Sequence, residues 1–251
     1  REFAPFKVEV GARRDLRELD ARDGTSVARG ATSLSASAAW QFATGWSATV
    51  NLDRAARAPG EEELFANGAH DATGSFEVGD PQLRVEVANQ VELGLAYESA
   101  AVQARAGVYR NRFDRFIYLA ETGLVDPDEG LPIRQWSQDD ARFSGFEGEI
   151  KARLAEGAWG RFDLRLFGDT VRARLRDGGD LPRIAPARIG ASLAWTRDAL
   201  RASIGAVGWM RQDKVAAFEQ PTSGFTLLDA HLSWALDAGP AEWELYLDGS
   251  N

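Results

Sequence analysis

The sequence predicts an all-β fold, an antiparallel transmembrane β-barrel, and three observations predict it. Segments alternate apolar and polar residues with a period of two. The links between segments alternate strictly between short and long. Six of the eight tryptophans stand beside the short links. Period two is the signature of a strand with unlike faces. Short turns at one end and long loops at the other is the arrangement of outer-membrane barrels. Indole rings prefer the headgroup level, where one side is apolar and the other wet.

Taken in order, the elements repeat this pattern. Segment 3–14 sets Phe6, Val8 and Val10 against Lys7 and Glu9, and the long link 15–30 follows. Segments 31–42 and 45–56 meet at Ala43-Thr44-Gly45, with Trp40 and Trp46 on either side. The longest link, 57–87, precedes segments 88–98 and 101–119, and another long link spans 120–139. In 140–154, Phe146, Ile150 and Leu154 oppose Glu147, Glu149, Lys151 and Arg153. After Ala155-Glu156-Gly157-Ala158, Trp159 opens 159–173, where Phe162, Leu164 and Leu166 oppose Arg161, Asp163, Arg165 and Asp169. Link 174–186 leads to 187–197 and 199–211, with Trp195 just before Thr196-Arg197-Asp198-Ala199. Link 212–223 leads to 224–236 and 241–251, where Trp234 and Trp243 flank Asp237-Ala238-Gly239-Pro240. In the last segment Trp243, Leu245 and Leu247 oppose Glu242, Glu244 and Asp248. Charges of both signs on one face can pair across strands. A soluble sheet with one wet face would account for any single strand. The ordered alternation of links is what excludes it.

Composition sets the bounds. With 251 residues and few prolines, the chain suits one large all-β domain. It has no cysteine, so neither a disulfide nor a thiolate metal site is available. A net charge of −9 argues against a nucleic-acid partner, whose phosphates would be repelled. No stretch approaches the length of apolar sequence that a transmembrane helix needs. A mean hydropathy of −0.32 ordinarily suggests a soluble protein. In a barrel, however, half of every strand faces a polar interior, so hydropathy understates the membrane contact. Eleven strands is an odd number, whereas bacterial single-chain barrels have an even one. An open half-barrel would also leave two bare edges in lipid. The chain, which opens at Arg1 without a signal peptide and stops within an apparent strand, therefore reads as part of a larger barrel.

An ordered series of motifs makes the reading more specific. Arg54, Arg57 and Pro59 precede Glu63-Leu64-Phe65, then Gly79-Asp80-Pro81-Gln82-Leu83, Glu86 and Val91-Glu92-Leu93-Gly94-Leu95. Tyr109 to Phe113, Ile117-Tyr118 and Gly145-Phe146-Glu147 follow, and Leu181-Pro182-Arg183-Ile184, Pro186 and Thr222-Ser223-Gly224-Phe225 complete the series. Over nearly the whole chain this resembles the β-barrel of TonB-dependent outer-membrane receptors. The resemblance implies a barrel of 22 strands around an N-terminal plug. Residues 1–251 would then be one partial barrel domain carrying strands 11–21, with the plug, the TonB box, the first strands and the closing strand outside it. It also implies an outer-membrane location, with membrane lipid around the wall. The implied activity is active import powered by the TonB–ExbB–ExbD complex acting on the plug, with no catalysis and no cofactor. A passive porin, or an outer-membrane barrel enzyme with a lipid-exposed Ser/His/Asp set, are the alternatives.

Four residues of the longest link are candidate metal ligands: His70, Asp71, Glu77 and Asp80, with Glu61, Glu62 and Glu63 upstream. This version of the loop most resembles the zinc-associated branch, where such residues capture metal. Imidazole and carboxylate suit zinc and related ions. The other reading is a solvated acidic loop whose histidine caps a turn. The implied substrate is a scarce metal ion or metal chelate, with zinc ahead of a ferric siderophore, and the net negative charge suits a cation. His231 alternates with Asp229 and Ser233, so Asp229 and His231 should face the lumen near the periplasmic end. There His231 would touch substrate or plug, or sit in a polar network that holds the plug. Asp126-Pro127-Asp128-Glu129-Gly130 has no EF-hand spacing and reads as loop surface. Glutamates along the strands invite a glycosidase reading, but barrel lumens are polar in any case. No nucleophile elbow or phosphate-binding loop is present.

Overall fold

Strand pairing follows the alternation of the sequence from one end to the other. The computed structural model describes residues 5–21, 24–239 and 241–251. The elements are β1 (Phe6–Asp20), β2 (Ser26–Ala43), β3 (Trp46–Arg57), α1 (Glu61–Phe65), β4 (Asn67–His70), β5 (Ser75–Val78) and β6 (Glu86–Glu98). Then come β7 (Val102–Val125), β8 (Pro132–Gly157), β9 (Gly160–Leu175), β10 (Arg188–Arg197), β11 (Leu200–Trp209), β12 (Phe225–Ala238) and β13 (Ala241–Ser250). Eleven of these strands form one wall, each hydrogen-bonded to the next in the order β1-β2-β3-β6-β7-β8-β9-β10-β11-β12-β13. All wall pairs are antiparallel. The eleven wall strands are those the sequence predicts. The start of segment 3–14 and Pro240 lie outside the described residues.

Three long links are more structured than the alternation suggests. Link 15–30 is mostly a continuation of β1 and β2, whose register runs on to Asp20 opposite Ser26. Link 120–139 is mostly a continuation of β7 and β8, closed by a turn at 126–131. Thr122 Oγ1 donates to Ile133 O at 2.7 Å, and Arg134 pairs with Glu121 at 2.6 Å. In these extensions polar and apolar residues fall on both faces, so their sequence shows no period of two. Link 57–87 contains α1 and the β4–β5 hairpin, and β5 runs parallel to β8 at Phe76↔Ile133 to Val78↔Gln135. At 126–130 the Asp126 carboxylate accepts the backbone N–H groups of Asp128 and Glu129, a turn cap rather than a cation loop.

The register separates the wall into two faces. One carries Val50, Leu93, Val108, Phe146, Ile150, Leu166, Ile189, Ile204, Leu232 and Leu245, all exposed or half-exposed. The other carries Thr49, Glu92, Glu149, Arg165 and Asp169, and its charges pair across strands. Trp40, Trp46, Trp195, Trp234 and Trp243 all point to the apolar face at the short-turn end. Trp159 lies in the β8–β9 turn itself, 79% exposed, and its carbonyl accepts the indole N–H of Trp195 at 2.8 Å. Trp46 also packs on Tyr97, with ring centroids 4.8 Å apart. Trp209, by contrast, is on the polar face near the opposite end, stacked on Phe225 at 4.9 Å. The expected result in vesicles of brominated phosphatidylcholine follows. Replacing Trp243 by Phe removes part of the lipid-quenched fluorescence, whereas Trp209→Phe leaves the quenched fraction unchanged. The reverse outcome would contradict the assignment of faces.

Candidate functional site

At the end away from the short turns, residues 58–85 fold into a platform fixed to the wall. Its first anchor is Arg57, the last residue of β3. Arg57 meets Glu63 at 2.9 Å and Glu86 at 2.9 and 3.1 Å. Glu63 also accepts the Gly60 N–H at 2.7 Å, which starts α1. Glu86 in turn accepts the buried Ile117 N–H at 2.7 Å. One carboxylate thus ties β3, β6 and β7 together. The second anchor is apolar: Leu64 and Leu83 are buried with Val27 of β2 and Ile117 of β7, flanked by Leu19, Phe65 and Trp136.

Gly79-Asp80-Pro81 closes the platform. A Cβ on Gly79 would lie 2.6 Å from the backbone of Leu64 and Phe65, so the close approach requires glycine. That approach lets Gly79 N donate to Ala66 O at 2.7 Å and Asp80 N to Glu63 O at 2.9 Å. The Asp80 carboxylate accepts the Gln82 N–H at 2.8 Å, the self-capping turn that aspartate forms readily.

The β4–β5 hairpin carries the predicted ligand His70, paired in register with Ser75. Its turn is held by Thr73 N and Gly74 N donating to His70 O. Glu77, 2% exposed, accepts the Thr73 hydroxyl at 2.6 Å and the Trp136 indole N–H at 3.2 Å. His70 Nδ1 is 3.8 Å from Glu77, and its Nε2 is 4.0 Å from Glu62. Arg134 donates to Thr73 O at 2.8 Å and binds Glu121, joining the hairpin to the β7–β8 extension. Of the four predicted ligands, the structure therefore brings together His70 and Glu77 and adds Glu62. Asp71 is exposed at the hairpin tip, and Asp80 is occupied in its own turn. Among the described residues, no three such side chains converge as a metal site. Thr73, Arg134 and Trp136 were not foreseen as part of this cluster. The only sequence signal for Trp136 was its place as an exception to the tryptophan belt.

Asp229 and His231 share the polar face of β12. His231 Nδ1 lies 2.6 Å from Asp248, its register partner on β13, and stands opposite Ser203 on β11. His231 sits midway along β12, three residues from Trp234. Asp229 stands between Gly205 and Ser250. Farther round the same face, Glu149 is surrounded by Arg105, Lys151 and Arg165 at 3.1, 3.3 and 2.6 Å.

One face apolar and edged by tryptophan, the other charged and cross-linked, with long connections folded at one end, define the wall of a transmembrane β-barrel. Residues 2–251 match the family model described as TonB dependent receptor-like, beta-barrel. The chain belongs to that family. Solved structures share the fold. The copper transporter OprC superposes with a TM-score of 0.78 at 18% identity, over 92% of this chain and 37% of that one. The FrpB iron transporter from Neisseria meningitidis (F3-3 variant) gives 0.67 at 16% identity, over 93% of this chain and 36% of that one. A mutant of the ferric enterobactin receptor PfeA from Pseudomonas aeruginosa gives 0.62 at 17%, over 92% of this chain and 38% of that one. The chain thus spans little more than a third of the length of these structures.

Proposed function

We propose that this chain forms part of the wall and outer connections of an outer-membrane receptor that actively imports a scarce metal ion or metal chelate. The observation that carries the reading is the two-ended wall. Tryptophans mark one interface on the apolar face, and a folded platform of long connections stands at the other end. Family membership supports energy delivered by the TonB–ExbB–ExbD complex to a plug within the whole receptor. The structural neighbours, named as copper, iron and ferric enterobactin proteins, support the substrate class. Uptake of labelled metal or ferric chelate by cells carrying the intact receptor is expected to stop when either the receptor or TonB is removed. Uptake that persists without TonB would instead favour a passive porin.

Within this class, zinc is the finer proposal. The imidazole of His70 lies within 4.0 Å of the carboxylates of Glu62 and Glu77, with Asp71 exposed next to it in the chain. Glu77 is already held by Thr73 and Trp136. An ion arriving here would therefore keep water or chelate ligands, which suits transient capture followed by release. The double variant His70→Ala, Asp71→Ala is expected to weaken zinc binding by the intact receptor, read by calorimetry. Unchanged zinc affinity would remove the zinc reading and leave a metal chelate as the substrate.

A further inference from the structure

Around Glu149 the polar face pairs its charges, whereas a row of arginines on the apolar face does not. On the polar face Arg105, Lys151 and Arg165 converge on Glu149, and Arg188 meets Asp169 at 2.6 Å. On the apolar face the alternation runs past Val108, Phe146 and Leu166, away from the short turns. It continues into Arg110 and Arg112 of β7, Arg142 of β8, and Arg172 and Arg174 of β9, all exposed. Register sets them side by side. Arg142 is directly opposite both Arg112 and Arg174, and Ser144 is opposite both Arg110 and Arg172. Arg174 has a partner in Asp180 at 3.3 Å. Arg110, Arg112, Arg142 and Arg172 make no hydrogen bond, ion pair or ring contact with any described residue. Two acids lie beyond the row on this face. Asp140 is taken by Arg176 at 3.0 Å. Asp114, two residues past Arg112 on β7, forms no ion pair with a described arginine, so the four free guanidinium groups outnumber it. Directly opposed residues have Cα atoms only about 4.5–5.5 Å apart, and like charges there destabilise a sheet. An anion among the guanidinium groups would remove that cost.

Depth indicates which anion. Arg172 follows Phe162 by ten residues on β9, and Phe162 is the register partner of Trp195. At about 3.3 Å per residue and a tilt of roughly 35–45°, that separation is about 25 Å along the membrane normal, the height of an outer-membrane apolar band. The arginines therefore stand at the interface opposite the tryptophan girdle.

We propose that this row binds the phosphate groups of an anionic lipid headgroup in the outer leaflet, an inference that rests on the outer-membrane reading above. Planar guanidinium forks match phosphate oxygens two at a time. A second copy of the chain would bring the same arginines face to face and be repelled. An acidic protein would have to reach them through lipid.

The test uses the intact receptor in phosphatidylcholine nanodiscs, titrated with bisphosphorylated lipid A, with lipid A stripped of phosphate, and with inorganic phosphate. Bound species are counted by native mass spectrometry. The receptor is expected to retain bisphosphorylated lipid A in preference to the stripped form, with affinity falling as salt rises. The combined Arg112→Gln, Arg142→Gln, Arg172→Gln variant should bind it on the order of 100-fold more weakly. Equal retention of the two lipids by the unaltered receptor overturns the proposal, whether or not the variant folds. So does unchanged affinity in the variant, inorganic phosphate binding as tightly as the lipid, or a receptor dimer that only the variant loses. Extraction of the unaltered receptor from native membranes by carbonate would instead overturn the outer-membrane reading itself.

Discussion

Replacing Glu86 by alanine in the intact receptor is expected to release the platform formed by residues 58–85 while leaving the wall folded. The Glu86 side chain is 8% exposed and accepts from Arg57 twice and from Ile117 N. Removing it leaves Arg57 with Glu63 alone and strands the N–H of Ile117, itself 4% exposed. Arg57 is 44% exposed and keeps Glu63, so the main cost is the stranded Ile117 N–H, about 1–3 kcal/mol. Leu64 and Leu83 still bury against Val27 and Ile117, but that contact must now hold the platform without its polar anchor. Amide exchange at Ile117 and Leu83 should accelerate about 10-fold or more, because local opening loses this free energy. Glu86→Gln should fall between the two, since it keeps an acceptor for Ile117 and loses the charge. The wall, read by heat-modifiable migration and far-ultraviolet circular dichroism, should not change. Exchange at the unaltered rate in the alanine variant would show that the apolar anchor suffices.

How much of this is legible in the sequence depends on which solvent each face meets. Phe162, Leu164 and Leu166 alternate with charged neighbours because lipid lies on one side and water on the other, so β9 is visible from its residues alone. Residues 132–139 pair just as regularly in β8, yet read as a loop, because no apolar solvent selects one of their faces. The β4–β5 strands are four residues long and gain an edge only by running along β8, a pairing far away in sequence. The same holds for the site. Proximity of His70 and Glu77 follows from a local hairpin. The Trp136 bond to Glu77 depends on the β5–β8 register and has no local signature. Asp80 was legible as polar loop chemistry, but aspartate before proline serves a turn cap as readily as a metal, and here the Gln82 N–H takes it. His231 and Asp248 were each placeable on the polar face by alternation. Their 2.6 Å contact follows from the register across the β12–β13 turn.

The membrane assignment makes its largest demand on Leu166. This residue is 40% exposed and lies between Ile150 and Ala191 in register, between the tryptophan girdle and the arginine row. In a soluble sheet, arginine at such an open position would change stability by no more than about 0.5 kcal/mol. On a lipid face near the bilayer midplane it costs about 2–4 kcal/mol, falling to about 0–1 near the interface. Leu166→Arg in the intact receptor should therefore lower the folded fraction in denaturant titrations from lipid vesicles. Leu200→Arg, on the same face beside the short turns and opposite Trp234, should have a much smaller effect. Ala194→Arg supplies the control for the other face, since it places the guanidinium across from Asp163 on the charged side of the wall. The order of cost expected is thus Leu166 first, then Leu200, with Ala194 near neutral. That order combines depth with face, and only a strand crossing a bilayer produces both dependences. Equal costs at Leu166 and Ala194 would mean that the apolar face meets water or protein, and the natural arginines at 110, 112, 142 and 172 would then need no lipid to explain where they stop.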